Sequence, residues 1–165
     1  MATYSKEENR QWQNNLPTKP VGASVVLRNK NGQVLVVKPN YRDEWNLPGG
    51  VVDEKESPLA AAIREVREEL GLELAPQSLR LGAVNYTPSI DGFIDFMTVV
   101  FDGGTLSEEQ VQSIQLQEKE LDEHRFVSTD EAKKLLNDLK GRSVEMIVKG
   151  KADYLVAQIK ESTEI

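Results

Sequence analysis

The sequence has no cysteine and only one histidine, His124. Without cysteine the chain has no disulfide bond, no thiolate metal ligand and no cysteine nucleophile. His124 has no second histidine or cysteine with which to complete a metal site. Thiol-based catalysis and thiolate metal centres are therefore excluded.

Long hydrophobic runs and an excess of positive charge are also missing. No apolar stretch reaches the length of a membrane span, and residues 1–15 are too polar for a signal peptide. We therefore expect a cytoplasmic protein with no membrane partner. The net charge of -7 disfavours non-specific binding to nucleic acid, so no nucleic-acid partner is expected. It also repels phosphate compounds at long range, so local cations would have to receive such a ligand.

The length of 165 residues suits one domain. Residues 1–20 contain Pro17 and Pro20 and are expected to form a flexible N-terminal arm. Residues 21–165 are then the single domain, which is expected to end in a helix.

Several runs rich in β-branched and aromatic residues are bounded by turn residues and predict strands at 23–27, 33–38, 79–85, 93–101, 112–117 and 123–127. The Asn31-Gly32 pair between the first two is typical of a hairpin turn, and Asp91-Gly92 predicts a second turn.

Two helices are predicted towards the C-terminus, over residues 131–139 and 143–161. Gly150 would weaken the second by about 1 kcal/mol, which favours a kink or a break there. Strands interleaved with helices indicate an α/β fold with a mixed sheet covered on both faces.

A further helix has readable ends. Ser57 is a predicted N-cap, Pro58 suits the first helical position, and Gly71 is placed for a left-handed C-terminal cap. The apolar residues of this helix share one face and are expected to contact the core: Leu59, Ile63, Val66 and Leu70.

Three glutamates of the same helix, Glu65, Glu68 and Glu69, lie within one turn on another face. Like charges at this spacing destabilise a helix by a few tenths of a kcal/mol per pair, roughly, and more where water is scarce. A bound cation offsets that repulsion, and an all-oxygen carboxylate cluster suits Mg²⁺ or Mn²⁺. The cluster therefore predicts a site for a hard divalent ion.

Residues 50–72 resemble the Nudix box, the signature of hydrolases that act on nucleoside diphosphates linked to another moiety. The positions that match this pattern are Gly50, Glu56, Arg64, Glu65, Val66, Glu68, Glu69, Gly71 and Leu72. The resemblance extends over about residues 21–133. It implies a Nudix-type α/β/α sandwich with a mixed central sheet, a small-molecule nucleotide substrate and Mg²⁺ or Mn²⁺ as cofactor.

We assign Glu65 and Glu69 to the principal metal ion, and Glu68 to a second ion or to the water between them. The resemblance implies a further metal ligand, the carbonyl of Gly50. A glycine there lets the backbone approach an ion with no side chain between them.

Arg64 is expected to orient the carboxylates rather than to bind metal. It lies four residues before Glu68 and could hold that carboxylate in a hydrogen bond. The resemblance implies instead that Arg64 pairs with Glu56, which would tie the loop to the helix. Both alternatives stay open at this stage, and Glu56 and Gly71 are expected to support the box structurally.

In many relatives the general base is a glutamate outside the box. Four acidic residues follow one another closely in a later segment and are candidates: Glu118, Glu120, Asp122 and Glu123. Glu120 is favoured, although spacing alone does not rank the four.

Substrate contacts are expected from basic and aromatic residues. Lys38 and Arg42 are candidates for the phosphates, although solvated loop charges explain them equally well. The aromatic candidates for a nucleobase pocket are Tyr41, Tyr86, Phe93 and Phe96, of which strand spacing places most in the core or on the sheet surface.

Pro88 lies sixteen residues after Leu72, where some relatives that cleave ADP-ribose carry a proline. This favours ADP-ribose or a related nucleotide sugar. The alternatives are a pyrophosphohydrolase of (d)NTPs or dinucleoside polyphosphates, and a non-catalytic nucleotide-sensing module, against which the intact glutamates argue. A prenyl diphosphate isomerase on the same scaffold would be associated with a cysteine, which is absent. Many relatives form homodimers, for which the arm or the final helix would be the surface.

Overall fold

The structure is a computed structural model that describes residues 5–89 and 94–157. The predicted Asp91-Gly92 turn, Phe93 and residues 158–161 of the predicted final helix lie outside the described residues. The helices are α1 (Lys6–Asn14), α2 (Pro58–Leu70), α3 (Glu108–Gln112), α4 (Thr129–Leu135) and α5 (Asp138–Val148). The strands are β1 (Val21–Arg28), β2 (Val34–Pro39), β3 (Gly49–Val51), β4 (Arg80–Thr87), β5 (Phe96–Thr105), β6 (Leu121–Val127) and β7 (Asp153–Val156).

The strands form one mixed sheet in the order β6-β2-β1-β5-β4-β7, with β3 paired to β1 beside this path. The pairs β1/β5 and β4/β7 are parallel, and the other pairs are antiparallel. The predicted α/β fold with a mixed sheet is thereby confirmed.

Strand β1 separates two hydrophobic cores because its side chains alternate between the faces of the sheet. Val25 and Leu27 pack on one face with α2, whereas Val26 packs on the other with α4 and α5. All three side chains are fully buried. A strand buried on both faces reads as a continuous apolar run, as this one does.

Helix α2 begins and ends as predicted. The Ser57 hydroxyl accepts a hydrogen bond from the N–H of Ala60 at 3.1 Å, and Pro58 is the first helical residue. Gly71 takes φ +68° and donates its N–H to the carbonyl of Arg67 at 2.9 Å. These caps fix the length of the helix that carries the three glutamates.

The expected N-terminal arm contains helix α1. A capping box that the sequence analysis did not use begins it, since Ser5 and Glu8 exchange side-chain-to-backbone hydrogen bonds. None of its residues is buried, so the helix depends on its cap and local ion pairs rather than on the core.

The prediction of a strand at residues 112–117 is wrong. Helix α3 ends at Gln112, and residues 113–117 form a loop. That loop runs against the end of α2, where the N–H of Gln115 donates to the carbonyl of Leu70 at 2.9 Å. The apolar residues that suggested a strand, Ile114 and Leu116, instead pack against the core.

The helix predictions at 131–139 and 143–161 are wrong in their bounds. The chain breaks between α4 and α5, where the side chain of Asn137 caps the second helix by accepting from the N–H of Lys140 at 3.0 Å. Helix α5 ends at Val148, and Gly150 takes φ +67°, so the break that this glycine favoured is present. Beyond it the chain forms strand β7 at the edge of the sheet.

Within residues 5–89 and 94–157, no helix is long and apolar enough to cross a membrane.

Candidate active site

Two glycines before α2 bring the backbone against strand β1 and against the glutamate face of the helix. Gly49 takes φ +142°, and a Cβ there would lie 2.1 Å from the carbonyl oxygen of Ala23. At Gly50 a Cβ would lie 2.4 Å from Oε1 of Glu65. Glycine at position 49 therefore allows the backbone to approach strand β1, and glycine at position 50 allows it to approach the carboxylate of Glu65.

Glu69 is the most buried carboxylate of the site, with 8% of its surface exposed. Its Oε2 accepts one hydrogen bond from the N–H of Gly49 at 2.8 Å. Burial raises the pKa of Glu69 to about 8, and the charges of Glu65 and Glu120 add to the rise. The hydrogen bond from Gly49 and the charge of Lys140 oppose it. A cation bound beside Glu69 would therefore stabilise its ionised form, because one hydrogen bond and the charge of Lys140 offset the cost of burial only in part.

Arg64 links the loop to the helix and holds two of the glutamates. Its guanidinium donates to both oxygens of Glu56 at 3.0 Å and to the carbonyl of Val51 at 3.0 Å. It also donates to Glu65 at 2.8 Å and to Glu68 at 3.0 Å. Both contacts that the sequence left open for Arg64 are therefore present. Arg64 lowers the pKa of Glu56, which keeps that carboxylate ionised.

Glu65 and Glu68 lie on the same helix face but in different surroundings. The side chain of Glu65 is 14% exposed and that of Glu68 is 48% exposed. Burial raises the pKa of Glu65, whereas its hydrogen bonds with Arg64 lower it. The exposure of the carboxylates on this face therefore increases from Glu69, which is buried, through Glu65 to Glu68, which is half-exposed.

The donor set suits a hard divalent ion. Among the described residues, no three acidic or histidine side chains already converge on one point as a metal site, because Glu65 and Glu68 turn towards Arg64 and Glu69 towards Gly49. The carboxylate of Glu65 nevertheless lies against Gly50, and Glu65, Glu68 and Glu69 line the same cavity as this glycine. Three carboxylates on one helix face supply only oxygen ligands, the type that Mg²⁺ and Mn²⁺ prefer, so the residues fit such an ion by their chemistry.

Glu120 reaches this site because its segment is held against the end of α2. The N–H of Gln117 donates to the carbonyl of Glu69 at 3.0 Å, and the N–H of Asn40 donates to the carbonyl of Glu120 at 2.9 Å. Of the four acidic candidates in this segment, all of which are described, only Glu120 lines the cavity in front of α2. Glu123 pairs instead with Arg125 at 2.5 Å.

The cavity measures about 740 Å³, which is within the usual range for a small-molecule site. Its floor consists of the glycine turn and the glutamate face: Gly49, Gly50, Val51, Arg64, Glu65, Glu68 and Glu69. Strands β1, β4 and β5 supply one wall: Gly22, Ser24, Thr87, Phe96 and Thr98. The opposite side is formed by the loop after β2, the start of α5 and the segment before β6: Tyr41, Arg42, Asn46, Asn137, Lys140 and Glu120.

The predicted substrate contacts fall in different places. Arg42 lies at the rim of the cavity. Lys38 does not line the cavity, since its ammonium group donates to the loop carbonyls of Arg42 and Asp43. Tyr86 is also outside the lining, and its hydroxyl donates to Asp95 at 3.0 Å. Lys38 and Tyr86 therefore have structural partners near the site.

Several cavity residues were not predicted from the sequence, among them the polar side chains of Asn46, Asn137 and Lys140. Lys140 lay in the gap between two predicted helices and had no motif around it. Asn137 carried a usable signal, because asparagine favours helix N-caps, but the sequence analysis ran one helix through it.

Comparisons with known proteins agree with this architecture. The family model described as NUDIX domain matches residues 18–147. A CMP-5'-(N-acetyl-N-hydroxy-3-aminopropyl)phosphonate hydrolase from Streptomyces rubellomurinus is 31% identical over 134 residues, which cover 76% of this chain and 58% of that protein. An RNA pyrophosphohydrolase from Hydrogenovibrio crunogenus is 40% identical over 57 residues, which cover 34% of this chain and 33% of that protein. Several such curated relatives are matched over about a third of their length.

Solved structures share the fold at lower identity. A MutT NUDIX hydrolase from Burkholderia pseudomallei superposes with a TM-score of 0.66 at 21% identity, covering 79% of this chain and 99% of that one. The dihydroneopterin triphosphate pyrophosphohydrolase of E. coli gives a TM-score of 0.65 at 20% identity, covering 81% and 99%. The predicted α/β/α sandwich is therefore confirmed. With the family model matching most of its length, the chain belongs to the NUDIX domain family.

Proposed function

We propose that this protein is a metal-dependent hydrolase that cleaves a phosphoanhydride bond in a nucleoside diphosphate linked to another moiety. The observation that carries the proposal is that Glu65, Glu68 and Glu69 line one cavity together with Gly50. NUDIX hydrolases generally use divalent metals. Mg²⁺ or Mn²⁺ is the ion that an all-oxygen site of this kind favours.

The carboxylates of Glu65 and Glu69 and the carbonyl of Gly50 would hold the principal ion, with Glu68 at a second ion or at the water. The bound ion would neutralise phosphoryl oxygens and lower the pKa of coordinated water. Arg64 orients Glu65 and Glu68 through the hydrogen bonds described above, and its pairing with Glu56 fixes the guanidinium.

Glu120 is the proposed general base. It lines the cavity from the segment before β6, and its negative charge contributes to the raised pKa of both Glu65 and Glu69. A carboxylate there can accept the proton of the attacking water. The step breaks one P–O bond of the anhydride and forms a new P–O bond to the water oxygen, leaving two phosphate-bearing products.

Pro88 favours ADP-ribose or a related nucleotide sugar, although Pro88 itself does not line the cavity. The relatives include an RNA pyrophosphohydrolase, a hydrolase of a CMP-linked phosphonate and a dihydroneopterin triphosphate pyrophosphohydrolase, and this range does not select one substrate. The net charge of -7 favours a small nucleotide over RNA.

The test is a substrate panel incubated with Mg²⁺, with Mn²⁺ and with EDTA. The panel contains ADP-ribose, nucleotide sugars, dinucleoside polyphosphates, dNTPs and a 5′-triphosphorylated RNA. We expect metal-dependent release of nucleotide from at least one small molecule, and a loss of turnover by orders of magnitude in Glu69→Gln and Glu65→Gln. Binding of a nucleotide without turnover of any compound would replace the proposal with a sensing function.

Glu120→Gln and Glu118→Gln form a matched pair, since they remove the same charge two residues apart. We expect a reduced kcat in Glu120→Gln only, because Glu118 does not line the cavity. A reduction in Glu118→Gln with an unchanged Glu120→Gln would contradict the assignment of the base.

A further inference from the structure

Two cations line the cavity from elements other than the glutamate helix. Lys140 is in the first turn of α5, where Asn137 caps its N–H and the side-chain oxygen of Asn46 accepts from its ammonium group. Arg42 follows β2 and lies at the rim, with its guanidinium 4.9 Å from the centre of the Tyr41 ring. Both residues line the cavity, and their positive charges are near enough to interact.

Within the described part of the chain, the positive charges of Lys140 and Arg42 are not neutralised by bonded carboxylates, as the charge of Arg64 is. Arg64 bonds directly to several carboxylates, whereas among the described residues no carboxylate forms an ion pair with Lys140 or Arg42. Their ordered partners are neutral: an amide for Lys140 and a phenol for Arg42.

The two cations also repel each other. Burial lowers the pKa of Lys140 to about 8, and the charge of Arg42 contributes to the fall. The carboxylates of Glu69 and Glu44 are near enough to oppose this, although neither is bonded to Lys140. An anion between Lys140 and Arg42 would relieve their repulsion and the desolvation of the lysine.

We propose that Lys140 and Arg42 form a subsite for a phosphate group of the substrate other than the phosphoanhydride held at the glutamates. This rests on the proposed function and narrows it, because the substrate then carries at least a third phosphate group. Lysine serves as a point charge for phosphate, and arginine binds it through two parallel N–H groups. A cavity of about 740 Å³ has room for a nucleotide with such a group.

The third phosphate has two chemical sources. It is either the terminal phosphate of a nucleoside triphosphate or polyphosphate, or a phosphate carried by the linked moiety. Unmodified ADP-ribose has only two phosphates, so this subsite favours charged derivatives over the compound to which Pro88 points.

Binding of non-hydrolysable ligands tests the subsite separately from turnover. Calorimetry with Mg²⁺ would compare ATP carrying methylene groups at both the α,β and the β,γ bridges with α,β-methylene ADP, and the methylene analogue of ADP-ribose with and without a 2′-phosphate. We expect the ligand with the extra phosphate to bind more tightly in one of the two pairs, and that pair identifies the source. A protein that binds with this preference but turns nothing over would retain the subsite and lose the proposed function.

The variants are Lys140→Gln, Arg42→Gln and, as a control of equal charge change on the exposed surface of α4, Lys134→Gln. We expect Lys140→Gln and Arg42→Gln each to reduce the preference by about 10-fold, and Lys134→Gln to leave it unchanged. Lys140→Arg keeps a cation and should retain most of it. Equal affinities within both ligand pairs, or a preference that survives both neutral variants, would overturn the proposal.

Discussion

Replacing Glu69 with glutamine should stabilise the metal-free protein. The wild-type carboxylate is buried and accepts a single hydrogen bond, from the N–H of Gly49. Glutamine has nearly the same shape, keeps an oxygen for that N–H and carries no charge. The variant therefore removes the cost of a buried negative charge while leaving the packing of α2 in place.

The magnitude follows from the pKa of Glu69, which is about 8 in the folded protein against 4.5 as the reference value. Each unit of pKa difference corresponds to about 1.36 kcal/mol. Because the folded state holds the proton more tightly, the free energy of unfolding falls as pH rises from 4.5 towards 8 and then levels. Glu69 thus costs about 3 kcal/mol at pH 7, where the folded protein holds it mostly protonated, and about 5 kcal/mol above pH 8, where it is ionised.

Urea and thermal unfolding in EDTA measure this difference. We expect Glu69→Gln to raise Tm by about 6–12 °C at pH 7, more at pH 8.5, and little at pH 4.5, since 1 kcal/mol corresponds to about 2–4 °C in a chain of this size. Glu118→Gln, an exposed charge-matched control, should change little at any pH. A Glu69→Gln protein that is no more stable than wild type at pH 8.5, or a gain that does not depend on pH, would refute the reasoning.

Three further predictions concern α2 and its loop. Leu70→Ala should lower the free energy of unfolding in urea by about 2–5 kcal/mol because Leu70 is fully buried, whereas Leu59→Ala, at a partly buried site, should cost less; equal losses would contradict the packing. Gly50→Ala should weaken Mg²⁺ binding by about 10–100-fold in calorimetry, because the added Cβ displaces a neighbouring carboxylate; unchanged affinity would rule out that displacement. Arg64→Met should lower Tm at pH 7, because it removes the ion pair with Glu56. The difference in Tm from wild type should shrink as pH falls below the lowered pKa of Glu56, because protonated Glu56 no longer pairs with Arg64 in the wild type. A difference in Tm that does not change with pH would argue against the pairing.

Local features of the sequence were enough to predict α2 and its site-facing residues. Ser57, Pro58 and Gly71 each act on the backbone within a few residues, so their effect does not depend on the rest of the fold. The placement of Glu65, Glu68 and Glu69 on one face follows from helical periodicity alone. The grading of their burial does not, because it depends on how β3 and the segment before β6 cover the helix.

The C-terminal part was predicted less well because its elements depend on distant contacts. Strand β7 is short and is stabilised by parallel pairing with the edge of β4. Because that pairing is with a distant segment, the local sequence of β7 does not predict it. Its residue Leu155 continued the apolar pattern of α5 across Gly150, and periodicity does not mark where one element ends. Lys140 reaches the cavity only because α5 packs over the sheet face opposite α2.

The proposed hydrolysis requires a divalent cation bound by the glutamates on α2. The most direct measurement is a titration of Mn²⁺ into the metal-free protein, followed by calorimetry and by the electron paramagnetic resonance of free Mn²⁺, in wild type and Glu69→Gln. We expect saturable binding in the wild type that is strongly weakened in the variant, and competition by Mg²⁺. Absence of bound Mn²⁺ in the wild type, with or without a nucleotide, or equal binding by the two proteins, would contradict the account.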